Sequence, residues 1–65
     1  MKIRFFEDTD TLFIELKPGN VAETRDLDEN TLLDLDAQGQ VLAITLEHAT
    51  ARAELSSFSF DRIAA

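Results

Sequence analysis

Asp34, Asp36, Gln38 and Gly39 spell D-x-D-x-Q-G. Oxygen ligands at alternate positions with glycine at the sixth resemble a calcium loop, a pattern suited to a hard cation. Two features oppose that chemistry. The twelfth position is Thr45, where a bidentate Glu is needed, and the flanks read as strands. The competing reading is structural. Asp36 caps a type I turn and Gly39 supplies the left-handed residue after it.

Two further acid clusters, Glu7-Asp8-Thr9-Asp10 and Asp26-Leu27-Asp28-Glu29, fall in polar loops. Converging, they would hold a divalent ion weakly; apart, they are solvated loop acids. Asp10 is expected to order its own turn by accepting backbone amides. His48 is the single imidazole, so a general base of ordinary pKa is either His48 or a perturbed acid. Ser56, Ser57 and Ser59 lack an elbow motif around them. Cysteine is absent, which excludes disulfides and thiolate metal sites. Gly19 and Gly39 are the only glycines, too few for a phosphate-cradling loop. No catalytic residue, metal ligand or cofactor is assigned. Asp10, Asp34, Asp36 and His48 stand as the candidate functional surface.

The elements that position these residues are mostly extended. Lys2-Ile3-Arg4-Phe5 alternates polar and apolar, and so does Thr11 to Lys17, with Leu12, Ile14 and Leu16 on one face. Together they predict a first hairpin. Phe13 lies on the opposite face, so burying it needs a second layer from residues 49–65 or another subunit. Pro18-Gly19-Asn20 closes the second strand. Val21 to Arg25 is poor in apolar residues and reads as a charged edge strand. Residues 26–30 form a polar loop that Leu27 is expected to anchor.

Thr31 to Glu47 is the central hairpin, and its register has two readings. A four-residue loop, Ala37 to Gln40, puts Leu33 and Leu35 with Leu42, Ile44 and Leu46. A type I turn with Gly39 left-handed shifts the register by one. Leu33 and Leu35 then join Val41 and Ala43, and Leu32 joins Leu42, Ile44 and Leu46 on the other face. The placement of Gly39 favours the second, which predicts a sheet apolar on both faces. His48 to Leu55 switches to helix formers and predicts a short helix. Phe58, Phe60 and Ile63 fit a strand or a helix, and are expected to cover a sheet face, their own or a neighbour's.

The 65 residues predict one domain, with residues 1–47 forming the sheet and 48–65 a C-terminal helical and covering segment. A chain of this size buries roughly 60% of its unfolded surface, so a homo-oligomer is expected. No run approaches the ~18 apolar residues of a membrane span, nor is there an apolar signal region. A cytoplasmic protein is the expectation. Thirteen acids against six scattered bases give a formal net charge of −7. Phosphate backbones need clustered Lys and Arg, so direct nucleic-acid binding is not expected. A basic protein partner or a cation suits the surface better.

The opening MKIRFFEDTDTLFIEL and the centre VAETRDLDENTLLDLDAQGQVLAITLEHAT resemble the bacterial and archaeal domain of unknown function 2283. Phe5 and Phe13 stand where that family commonly has tyrosines, and Asp10 matches its loop. Leu32, Leu33, Asp34, Asp36, Gly39, Val41, Leu42, Ala43 and Ile44 follow its central pattern, with Ala43 replacing a glycine, and Phe6 stands where an acid is frequent. The resemblance implies a small β-rich domain without an assigned activity, sometimes encoded beside proteins resembling toxins of toxin–antitoxin pairs. The combined expectation is an α+β fold, mainly β: about five antiparallel strands in meander order with a short C-terminal helical segment. The expected function is a non-catalytic, self-associating protein-interaction module, antitoxin-like toward a basic partner. The alternative is a small enzyme or a ligand- or divalent-cation-binding protein with its site at a subunit interface.

Overall fold

Alternation of apolar and polar residues produces five strands, and the order in which they pair was not visible in that alternation. The computed structural model describes residues 1–64. The strands are β1 (Lys2–Phe6), β2 (Thr11–Glu15), β3 (Glu23–Asp28), β4 (Thr31–Leu35) and β5 (Val41–Glu47), followed by the short helix α1 (Ala49–Arg52). All pairings are antiparallel, and the order across the sheet is β1-β2-β5-β4-β3. This corrects the meander. The last strand sits in the middle, between the two hairpins, because VLAITLE is the longest strand and rich in apolar residues, with most to gain from two neighbours. ETRDLD, with four charges in six residues, takes the edge expected of it, although its strand runs on to Asp28.

Residues directly opposite in an antiparallel ladder share a face. One face therefore carries the rows Ile3, Ile14, Ile44, Leu33 and Phe5, Leu12, Leu46, Thr31. The other carries Arg4, Phe13, Thr45, Leu32 and Asp26 in one row. The sheet is thus apolar on one face and mixed on the other, and the two-sided expectation is overturned. Leu32 lies opposite Thr45, not among Leu42, Ile44 and Leu46. The reason is a β-bulge. Gly39 does take a left-handed φ of 81°, and the Gly39 amide donates to the Asp36 carbonyl at 3.0 Å. That turn puts Leu35 opposite Val41. Leu42 is then the extra residue, which lets Leu33 face Ile44 as the other register requires. The Gly39 turn sets only the Leu35–Val41 pair, and beyond the bulge the register is that of the four-residue loop.

A second bulge lies between Asp26 and Asp28. It turns Leu27 outward, 65% exposed, so Leu27 anchors nothing. The link from β2 to β3 crosses the sheet end. The amides of Leu16 and Ala22 donate to the carbonyls of Leu42 and Leu35, at 2.7 and 2.8 Å. Gly19 passes so close that a Cβ there would lie 2.9 Å from Leu42 Cδ2.

The expected helix over His48–Leu55 is reduced to one turn. Ala53 is already extended, and residues 53–58 cross the apolar face over Ile3, Phe5, Leu12 and Ile14. One turn gains too little from propensity to persist without packing. Ala49 is its fully buried residue. Leu12, Leu35, Leu42 and Ala43 complete the apolar core, yet no large side chain among the described residues is fully buried.

Candidate functional site

The four candidate residues do not form one cluster. Asp10 and His48 lie together at one end of the sheet, beyond the pair Thr11 and Glu47. Asp36 begins the turn at the opposite end of β5, and Asp34 lies within β4. Three of them are engaged in building the fold. Asp36 Oδ1 accepts the amides of Gln38 and Gln40, both at 2.9 Å. Asp34 Oδ1 accepts the Thr24 hydroxyl across the β3–β4 pair at 2.8 Å. Asp10 does not order its own turn through its carboxylate. Instead Oδ1 accepts the Thr50 amide at 3.0 Å and Oδ2 the Thr50 hydroxyl at 2.9 Å, while the Asp10 carbonyl accepts the Ala49 amide. It caps α1 from forty residues away. His48, the residue at the N-cap, is exposed and makes no capping side-chain bond. Among the described residues, no group of three His, Asp or Glu is placed to hold a metal ion.

A second cluster escaped the sequence reading. Arg52 Nη1 donates to the Asn30 and Glu47 carbonyls at 2.6 and 3.1 Å, and Nη2 donates to Thr31 Oγ1 at 2.5 Å. Asp28 lies 3.7 Å from the same guanidinium. The Asn30 amide, held 2.8 Å from Asp28 Oδ1, is the main cause that lowers the Asp28 pKa below its ordinary value; the Thr31 side chain and Arg52 add to it. The spacing Asp28-x-Asn30 after a strand was the available signal, since Asp favours such a turn. Nothing local could have marked Arg52. In the tail, the hydroxyl and amide of Ser56 lower the pKa of Glu54.

What remains unengaged is surface. β1 and β3 each present one unpaired backbone edge. Glu23, Asp26, Asp28 and Glu29 run along and just beyond β3, where Arg25 pairs with Glu23 at 3.1 Å and Arg52 reaches Asp28 from α1. At the other edge, Met1, Ile3, Phe58 and Phe60 line an open apolar hollow of about 660 Å³. Phe58, Phe60 and Ile63 are 71%, 70% and 86% exposed.

The family model described as Protein of unknown function (DUF2283) matches residues 2–49. The chain belongs to the DUF2283 family. The match takes in all five strands and the first residue of α1. Asp10, Asp34, Asp36 and His48 all fall inside the DUF2283 region, whereas Arg52 and the apolar tail lie beyond it. No curated protein and no solved structure matches the chain. No helix among the described residues is long and apolar enough to cross a membrane.

Proposed function

We propose that this DUF2283 chain is a non-catalytic, self-associating interaction module that offers an acidic surface to a basic protein partner, as an antitoxin does. The observation that carries this reading is the surface left open. The chain exposes 5152 Å². A compact monomer of 7.3 kDa is expected to expose about 4,200 Å² by the usual size scaling. The surplus, about 1,000 Å², is comparable with the roughly 800 Å² that one partner contributes to a stable interface. Light scattering at low micromolar concentration tests it. A dimer or larger closed assembly is expected, and a monomeric mass overturns it.

The acidic edge supports the second half of the reading. β3 sets several carboxylates beside an unpaired backbone, and complementary charge speeds encounter with a basic partner. Titration with a Lys- and Arg-rich peptide is expected to give binding that weakens with salt. Charge reversal at Asp26 and Glu29 is expected to abolish that binding. Absence of binding at low salt removes the acidic edge from the proposal.

A further inference from the structure

We infer that two copies meet through one self-complementary surface: the apolar side of β1 together with the C-terminal arm, residues 56–64. This rests on the self-associating reading above and names the surface that performs it.

The arm is placed for this. From Ala53 the chain passes over the apolar face, where it lines a hollow with Ile3, Phe5, Leu12 and Ile14. There Phe58 and Phe60, with Met1 and Ile3, line the open 660 Å³ hollow. Beyond them, Ile63 is almost wholly in water. Seven large apolar side chains are exposed on or beside β1 and on the arm: Met1, Ile3, Phe5, Phe58, Phe60 and Ile63, with Phe6 on the opposite face of β1. Met1, Ile3, Phe5, Phe58 and Phe60 line adjoining hollows, and an apolar surface of this kind marks an interaction site rather than ordinary exposure. The whole-chain surplus of about 1,000 Å² is comparable with what one partner contributes to a dimer.

The acid-poor surface suits a second copy as the occupant. Each chain carries −7, so two copies repel unless they approach through acid-poor surface. Residues 1–6 contain no acid, and Lys2 and Arg4 are their charged side chains. On the arm, Asp61 and Arg62 cancel. The acidic β3 edge lies four strands away, about 19 Å at the usual strand spacing. β1 also has an unpaired edge, and a two-fold contact between two such edges closes on itself and leaves neither free.

The test compares the wild-type chain with F58S/F60S/I63S and with L27S, which alters an exposed apolar residue on β3. Light scattering across a dilution series should show a wild-type dimer, an unchanged L27S dimer, and a dissociation constant raised at least tenfold in the triple variant. A wild-type monomer removes both the inference and the self-associating reading. A triple variant that dimerises like wild type removes the inference alone. Hydrogen exchange on the unmodified chain covers the case in which the triple variant fails to fold. Amides of β1 and residues 58–63 should gain protection as concentration rises, and those of β3 should not. Protection gained at β3 instead overturns the inference.

Discussion

Asp10 and His48 both hold left-handed backbone conformations, with φ of 53° and 56°, one step beyond the Thr11–Glu47 pair. The two turns are complementary. His48 redirects the chain from β5 into α1 but caps nothing with its imidazole, and the Asp10 carboxylate takes over that task. The β1–β2 loop is thereby fixed to the start of the helix.

Asp10→Ala should remove both bonds to Thr50. The expected loss is ~1–2 kcal/mol, the upper range for a helix cap, read as a lower urea midpoint with unchanged slope. Asp10→Asn should lose less, because an amide oxygen still accepts and asparagine tolerates positive φ. A midpoint for the alanine variant equal to that of wild type would show that the cap contributes nothing.

At His48 the backbone, rather than the imidazole, should govern stability. Left-handed conformations cost L-residues ~1 kcal/mol or more, and glycine avoids that cost. His48→Gly is therefore expected to be more stable than His48→Ala by about 1 kcal/mol. Thermal unfolding of the pair measures this directly; the reverse order would contradict a backbone role.

Gly39 separates conformation from packing. Its φ is 81°, and apart from its chain neighbours no atom of the described residues lies within 4 Å of where a Cβ would stand. Gly39→Ala should cost about 1 kcal/mol through backbone strain alone, and Gly39→Asn less. Loss of the bulge at Leu42 in the alanine variant, seen as altered amide shifts in β5, would accompany a register slip.

Asp28 makes stability depend on acid. Its carboxyl is held below the ordinary value of 3.8 by the Asn30 amide, then by Thr31 and Arg52. The unfolded chain therefore binds a proton there at a higher pH than the folded chain does. The stabilisation is present above the ordinary value and is lost as pH falls through the lowered one. Glu54, lowered by Ser56, acts in the same direction. Asp28→Asn should flatten the stability profile below about pH 4 while changing its shape little near neutrality. An unchanged acid limb would remove Asp28 from the account.

Local pattern made much of the sheet legible. Alternation in residues 2–5 and 11–17 marked the first hairpin, the charges of residues 21–25 marked an edge, and Asp36 to Gly39 marked the turn. The strand order was not legible, because each hairpin is specified locally while the seating of β5 beside β2 depends on contacts thirty residues apart in sequence, such as Ile14 opposite Ile44. The central register failed for a different reason. Gly39 and the leucine pattern require different alignments, and only an extra residue at Leu42 reconciles them. The candidate acids were found by type, but their partners were not. Thr50 serves Asp10 from a distant segment, and Arg52 gathers carbonyls from two separate strand ends.

The place of β5 also dictates when the molecule can exist during its own synthesis. Until residues 41–47 are made, β1–β2 and β3–β4 are isolated two-stranded ribbons, and such ribbons are marginal in water. A nascent chain ending at residue 40 has no sheet to hold. The emergence of seven residues then joins both ribbons at once. Separate peptides 1–40 and 41–65 should accordingly be unfolded alone and regain sheet signal when mixed, since the second supplies the strand on which the first is assembled.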